Sequence, residues 1–354
     1  HLFDSLKLRD IVLPNRIGLP PMCQYSAHDG VAADWHFVHY GTRATGGAGL
    51  MIVEATAVTA EGRISPGDLG LWNDGQIEPL ARIARFAGEH GTVAAVQLAH
   101  AGISLGWQEP RSLRADEGGW ATVAPSALSF GPGYDVPQAL DEAGIRAVID
   151  QFAAAARRAR DAGFPIVEIH AAHGYLLHQF LSPLSNQRTD EWGGSFENRT
   201  RLVREVARTV RAEWPERLPL LIRLSATDWV EGGWNIEETV ALCRSLKELG
   251  IDLVDVSTAG LLPTAKLSVG PGFQTEFAER GRHEAYLPVA AVGMITSPAQ
   301  ADHIVRSGQA DMVLLGRELL RNPYWPLAAA RELGQPASWP KQYLRAAPAG
   351  STGR

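Results

Sequence analysis

Short apolar runs recur along the chain and alternate with longer segments in which apolar residues return every three or four positions. A short run of branched aliphatic residues is typical of a buried strand, and the longer spacing is typical of an amphipathic helix. Eight runs predict strands at residues 16–19, 50–55, 92–98, 166–170, 220–224, 253–257, 287–292 and 312–316.

The helical spacing is clearest at residues 143–162, where Ile145, Val148, Ile149 and Phe152 would share one face. Similar spacing predicts helices near residues 35–46, 78–90, 197–214, 236–249, 297–306 and 317–333. Alternating strands and helices predict a parallel sheet with crossover helices. Eight strands favour a closed (β/α)8 barrel, the TIM barrel, although an open doubly wound sheet would show similar local patterns.

Two segments interrupt this alternation. Residues 101–140 are rich in glycine, proline, serine and tryptophan and are too long for an ordinary connection. We expect them to leave the barrel after the third strand and cap the strand ends. Residues 335–354 carry prolines at a spacing that opposes a helix, which predicts an extended C-terminal arm after a single barrel domain at 1–334.

Composition and charge exclude several classes of partner. The 45% hydrophobic and 20% charged content is ordinary for a globular protein, and the net charge of −6 comes without a basic block. We therefore expect no nucleic acid and no membrane as partner. The charged amino end does not resemble a signal peptide, and two cysteines in a chain of this size do not predict disulfides. A cytoplasmic protein is expected.

Polar residues follow most of the predicted strands, and the carboxyl ends of barrel strands are where active sites form. None of these residues is acidic. In chain order they are Pro21, Met22, Cys23, Ala55, Thr56, Gln97, His100, His170, His173, Arg223, Ser257, Gly293, Met294, Gly316 and Arg317.

The stretch HAAHGY at residues 170–175 allows three interpretations. His170 and His173 could bind a metal, could be hydrogen-bonded residues of the core, or could act on a ligand. No third ligand stands at a spacing typical of zinc sites, so we predict no metal.

A phosphate-bearing flavin fits the remaining residues. Gly316 and Arg317 follow the eighth strand and Gly293 follows the seventh, which is the usual phosphate site of this fold. Gln97 could meet the edge of a heteroaromatic ring, and Arg223 could place positive charge beside a ring that gains electron density. The chain has neither a Rossmann fingerprint nor a P-loop motif.

Two longer motifs resemble those of the Old Yellow Enzyme family. They are HAAHGYLLHQFLSPLSNQRTDEWGGSFENR at residues 170–199 and PMCQYS at 21–26, with VQLAHAG at 96–102 and VGMITSP at 292–298 in support. The resemblance runs over residues 3–345 and is strongest to the bacterial branch of small, often thermostable ene-reductases.

The resemblance implies a barrel that binds FMN non-covalently and reduces the C=C bond of α,β-unsaturated carbonyl compounds by a ping-pong mechanism. The reductant would be NADPH, with NADH possible, and the acceptors would be enones, enals, maleimides or nitroalkenes. The residues implied in binding FMN are Pro21, Met22, Cys23, Ala55, Gln97, His170, Arg223, Gly293, Met294, Gly316 and Arg317.

The same resemblance implies catalytic roles. His170 and His173 would hold the carbonyl oxygen while hydride passes from flavin N5 to Cβ, and Tyr175 would protonate Cα. Cys23 would tune the flavin and contact the substrate. Tyr25 would either close over the substrate or form an aromatic wall.

The C-terminal arm has an implied role in assembly. Arg345, in the arm, would enter the site of a partner subunit, which implies a homodimer or a dimer of dimers. Residues 103–106 depart from the family, because relatives carry two positive charges at this position and this chain carries none. Two rival hypotheses are a zinc-dependent barrel hydrolase and a non-catalytic flavin-binding sensor.

Overall fold

Eight parallel strands close into a barrel in the computed structural model, which describes residues 1–105 and 111–351. Each strand pairs with its neighbours in chain order, and the first pairs with the eighth. The fold is therefore the predicted TIM barrel. The barrel strands are β1 Ile17–Leu19, β2 Leu50–Ala57, β3 Val93–Ala99, β4 Ile166–Ala171, β5 Leu220–Ser225, β6 Leu253–Ser257, β7 Val289–Val292 and β8 Met312–Leu314.

Helices pack around the outside of this barrel. Within residues 1–105 and 111–351 they are α1 Asp34–Thr45, α2 Ile77–Glu89, α3 Glu142–Asp161, α4 Leu176–Leu181, α5 Phe196–Arg199, α6 Arg201–Glu213, α7 Ile236–Glu248, α8 Thr275–Ala285, α9 Pro298–Arg306, α10 Gly316–Arg321 and α11 Trp325–Glu332. In this described part of the chain, no helix is both long and apolar enough to cross a membrane.

The strands alternate between two buried faces, since successive side chains of a strand point in opposite directions. On β4, Val167 and Ile169 join the large core between strands and helices. Ile166 joins a second apolar cluster with Leu50, Leu221 and other residues that fill the amino end of the lumen. Residues two and four positions beyond Ile166 therefore point into the carboxyl half of the lumen.

A hairpin closes the amino end of the barrel. Its strands, Leu6–Leu8 and Ile11–Leu13, pair antiparallel and stand before β1 in the chain. Leu8 and Leu13 belong to the apolar cluster of the lumen, so the hairpin acts as a plug on that side. The sequence interpretation did not include this hairpin.

Three predicted helical features differ from the structure. The helix predicted at 197–214 is two adjoining helices, because the Thr200 hydroxyl donates to the Phe196 carbonyl where they meet. The helix predicted at 317–333 breaks where Pro323 lacks an N–H and holds Asn322 extended. The arm is not wholly extended, since Lys341–Ala346 forms a 3₁₀ helix between its prolines.

The described parts of the segment 101–140 and of the C-terminal arm pack against the barrel. Ile103 and Leu105, at the start of residues 101–140, pack with Ala55 and Ala99 at the ends of β2 and β3. Two short strands farther along, Val123–Ala124 and Gln138–Ala139, pair with each other. The arm runs beside α11, where the Tyr343 and Tyr324 rings lie 6.1 Å apart.

Candidate active site

The strand register aligns three predicted site residues with one another and with two acidic residues at the carboxyl end of the barrel. Gln97 on β3 stands opposite Glu168 on β4, and His170 on β4 stands opposite Arg223 on β5. Arg223 in turn stands opposite Asp255 on β6. All of these side chains are buried. The polar half of the lumen is thus continuous across four adjacent strands.

A tight turn after β4 brings the two histidines and the tyrosine of HAAHGY together. His173 and Gly174 both have positive φ, 59° and 75°. The ring of His170 lies 5.3 Å from that of His173 and 5.1 Å from that of Tyr175, in both cases nearly perpendicular. A Cβ on Gly174 would stand 2.1 Å from the Gly260 carbonyl oxygen, so the turn requires glycine at this position.

Hydrogen bonds orient both imidazole rings. His170 Nδ1 accepts from the Ala172 N–H at 3.3 Å, which assigns the ring proton of His170 to Nε2. His173 Nε2 lies 2.7 Å from the Ser257 hydroxyl oxygen, leaving Nδ1 for a ligand. Burial, together with the positive charge of Arg223, lowers the pKa of both rings well below the usual range. Both imidazoles are therefore neutral at neutral pH.

Tyr175 and Cys23 both keep their protons. Burial raises the pKa of Tyr175 well above its usual value, and the nearby Cys23 and Asp68 raise it further. Burial also raises the pKa of the Cys23 thiol, with added contributions from Asp68 and Glu54. Cys23 and Tyr175 pack in one apolar cluster with Ala55. The site therefore presents a phenol and a thiol rather than their anions.

A buried carboxylate holds the loop that carries Cys23. Glu54 on β2 accepts from the Gln24 N–H at 2.6 Å and from the Tyr40 hydroxyl at 3.1 Å. The next residue, Tyr25, has a φ of 51° and is 46% exposed at the barrel opening. The loop is thus anchored from below while Tyr25 extends toward solvent.

Two acidic residues of the lumen were absent from the list of residues that follow the strands. Glu168 and Asp255 lie in the lumen, two positions before His170 and Ser257 on the same strands. The available signal was a charged residue in an otherwise apolar run, as in IVEIHA and LVDVS. Burial of a carboxyl group in such a run lowers stability unless the group is hydrogen-bonded or paired with a charge.

His178 and Asp228 form a supporting pair that the sequence interpretation also missed. His178 Nδ1 accepts from the Gly174 N–H at 2.9 Å, and its Nε2 lies 2.9 Å from Asp228 Oδ1. The Ser182 hydroxyl donates to the other Asp228 oxygen at 2.6 Å. This buried pair fixes the turn that presents His173 and Tyr175.

The loops after β7 and β8 form a cradle of backbone groups. Val292 pairs with Leu314, so the two loops are neighbours. Gly293 and Met294 have positive φ. Gly316 is the first residue of α10, and a Cβ placed on it would lie within 4 Å of Met22 in the loop after β1. The first N–H groups of a helix have no intrahelical acceptor. With the exposed Arg317, this set can hold a phosphate.

The comparisons with known proteins decide the family. The family described as "NADH:flavin oxidoreductase / NADH oxidase family" matches residues 1–335. The chain belongs to this family. An NADPH dehydrogenase of Geobacillus sp. (strain WCH70) is 47% identical over 346 residues, which cover 97% of this chain and 98% of the relative.

Solved structures agree with this NADH:flavin oxidoreductase assignment. The Old Yellow Enzyme homologue from Zymomonas mobilis matches with a TM-score of 0.80 and 28% identity, over 96% of this chain and 94% of that one. Morphinone reductase in complex with tetrahydroNAD matches with a TM-score of 0.78 and 27% identity, over 100% of this chain and 94% of that one. The resemblance to the Old Yellow Enzyme family is confirmed.

As a member of this family the protein is an FMN-dependent NAD(P)H oxidoreductase. The structure fits that cofactor. Gly293 and Gly316 carry no side chain in the two loops where a phosphate would bind, and Arg223 and Gln97 present a buried guanidinium and a buried amide in the carboxyl half of the lumen. Gly293, Met294, Gly316 and Arg317 would hold the phosphate of FMN, and Gln97 and Arg223 would hold its ring.

Two further predictions concern the arm and metals. Arg345 is exposed on the 3₁₀ helix Lys341–Ala346, and its entry into a partner's site stays a prediction. No group of three or more His, Cys, Asp or Glu side chains suited to a metal ion occurs among the described residues. Of the divergent residues 103–106, Gly106 lies outside the described part of the chain.

Proposed function

We propose that this NAD(P)H oxidoreductase is an ene-reductase that reduces the C=C bond of α,β-unsaturated carbonyl compounds. The observation that carries the proposal is the arrangement of two neutral imidazoles and one neutral phenol around the same small space. FMN, when bound, takes hydride from the nicotinamide coenzyme and supplies it to the β-carbon of the acceptor. The protein residues then have two tasks, one at the carbonyl oxygen and one at the α-carbon.

His170 and His173 hold the carbonyl oxygen. As hydride arrives at the β-carbon, negative charge develops on that oxygen, and preoriented N–H donors stabilise it. The hydrogen bonds to His170 Nδ1 and His173 Nε2 leave His170 Nε2 and His173 Nδ1 available to donate to the carbonyl oxygen. Because both rings are neutral in the resting site, they donate without adding a full buried charge.

Tyr175 supplies the proton that completes the reaction. A positioned phenol can act as general acid toward a carbon that gains electron density. The raised pKa of Tyr175 keeps the phenol protonated throughout the neutral pH range. Cys23 shares the apolar cluster of Tyr175, which supports a role of its thiol beside the FMN ring and the substrate. Tyr25, exposed at the opening, is suited to cover the bound acceptor.

Rapid mixing tests this function. The FMN-loaded protein is reduced with NADPH without oxygen and then mixed with 2-cyclohexenone, with saturated cyclohexanone as the matched control. Fast reoxidation by the enone alone supports the ene-reductase. Absence of reoxidation by enones, enals, maleimides and nitroalkenes alike would refute the ene-reductase and leave an NAD(P)H oxidoreductase that uses another kind of acceptor.

The assembly and location are proposed on separate grounds. Tyr343 and Leu344, adjacent in the arm, are 44% and 49% exposed, and together they form an apolar surface that a second subunit would bury. A homodimer or a dimer of dimers follows, with Arg345 acting in the partner's site. Cys23 and Cys243 are both free thiols, which supports a cytoplasmic location.

A further inference from the structure

Four buried polar side chains form a layer across the lumen beneath the histidines. We call Gln97, Glu168, Arg223 and Asp255 the lumen layer; each is at most 7% exposed. Each follows, two positions on, a residue of the apolar lumen cluster on the same strand, so all four point inward. Such a layer has no contact with bulk water and must balance its own charge.

The hydrogen bonds of the lumen layer are incomplete. Gln97 Nε2 donates to Glu168 Oε1 at 2.8 Å, but Glu168 Oε2 is buried with no partner among the residues described. Arg223 Nε lies 2.7 Å from Asp255 Oδ2, yet this close ion pair lacks hydrogen-bond alignment, and both Asp255 oxygens are without a bond in the same set. One oxygen of Glu168 is thus left for a proton.

The charges in the layer do not cancel if both acids are ionised. Two carboxylates would face one guanidinium, leaving one negative charge without a partner in a dry interior. An unpaired carboxylate is strongly disfavoured in a dry interior, so such a group takes up a proton instead. Because Arg223 contacts Asp255, the proton belongs to Glu168.

The groups that face Glu168 favour its neutral form. Burial raises the pKa of Glu168, the Asp255 carboxylate raises it further, and Arg223 and Gln97 oppose the shift. The pKa of Asp255 is also raised by burial but is opposed by the direct contact with Arg223. His170, on the same strand, is neutral and adds no charge.

We infer that Glu168 holds a proton on Oε2 at neutral pH and acts as a positioning residue that orients Gln97 and keeps the lumen layer uncharged. The orienting role rests on the proposed placement of the FMN ring above Gln97 and Arg223. In that placement a charged Glu168 would disfavour the electron-rich reduced ring. The midpoint potential of bound FMN should therefore fall, beyond its ordinary pH dependence, as Glu168 ionises at alkaline pH.

Two isosteric variants separate the charges of the layer. Glu168→Gln keeps a neutral side chain of the same shape, so we expect a wild-type midpoint potential at neutral pH and loss of the additional fall at alkaline pH. Asp255→Asn leaves Arg223 uncompensated and is expected to favour the reduced form about tenfold, a rise of about 30 mV for two electrons. A rise of equal size in Glu168→Gln at neutral pH would overturn the inference.

Infrared spectroscopy tests the proton independently of FMN. Cofactor-free protein labelled with ¹³C-glutamate should show the carbonyl band of a protonated carboxyl group at neutral pH, where ordinary glutamates are ionised, and Glu168→Gln should lack it. If that variant does not fold, the labelled wild-type protein still tests the proton, because the band should disappear as the pH is raised and Glu168 ionises. No band would refute the proton on Glu168. A band without any effect of Glu168→Gln on the pH dependence of the potential would refute the positioning role and count against the ring placement.

Discussion

The side chains of His170 and His173 owe their behaviour to what surrounds them. Burial and Arg223 keep both rings neutral, and fixed hydrogen bonds decide which nitrogen faces a ligand. The sequence predicted that these residues act together, but not their tautomers, because the orientation of each ring and the contact of Ser257 with His173 are set by the fold. At the residue scale, function is therefore a property of neighbours as much as of residue type.

The first prediction concerns the binding of an anionic oxygen by the histidines. Phenolate ligands imitate the charge that develops on the carbonyl oxygen. A hydrogen bond to a charged group contributes about 1.5–3 kcal/mol, so His170→Ala and His173→Ala should each weaken p-chlorophenol binding about 10- to 100-fold. Titration followed by the absorbance of bound FMN measures this. The exposed His303→Ala is the matched control, and unchanged binding in both site variants would refute the role.

The second prediction separates proton transfer from FMN reduction. Tyr175→Phe removes the phenolic hydroxyl group, which is the proposed proton donor, and keeps the aromatic ring. We expect reduction by NADPH to keep its rate and reoxidation by 2-cyclohexenone to slow about 100-fold or more. Stopped-flow measurement of each half-reaction decides the matter, with the exposed Tyr286→Phe as control. Equal slowing of both half-reactions would contradict the assignment of Tyr175 as acid.

The turn between β4 and α4 shows how an element sets the site. Gly174 has a φ of 75° and stands against the Gly260 carbonyl, while Gly194 has a φ of 83° with open space around it. Gly194→Ala should therefore show only the cost of a left-handed backbone, about 1–2 kcal/mol. Gly174→Ala adds a steric clash to that cost.

The third prediction compares these two glycine variants. We expect Gly174→Ala to lower the free energy of unfolding more than Gly194→Ala, and to impair phenolate binding because His173 and Tyr175 flank the turn. Urea unfolding and ligand titration measure the two effects. Equal loss of stability with intact ligand binding would show that the turn tolerates a side chain.

Strands were predicted more reliably than helices, for a physical reason. Buried parallel strands are continuous apolar runs, whereas α8 is built largely from charged and small residues that pack closely. Its Gly281 lies near Val289, a contact without an apolar signature in the sequence. The lumen acids escaped notice similarly, because their importance depends on which face of a strand they occupy.

At the scale of the whole molecule, the fourth prediction concerns the arm. Truncation before Pro340 removes the exposed Tyr343 and Leu344 and the proposed acceptor contact of Arg345. We expect a smaller assembly by light scattering and a raised KM for the enone. The single variant Arg345→Ala is expected to keep the assembly while raising KM. An unchanged mass and unchanged kinetics after truncation would refute the proposed interface.

The hairpin below the barrel has a consequence for how ligands come and go. Leu8 and Leu13 seal the amino end, so the lumen is a blind cup with one opening. Under the proposed function, coenzyme and acceptor would both bind from that opening, in the space above the lumen layer. If so, one ligand would have to leave before the other binds, and an excess of either ligand would inhibit binding of the other.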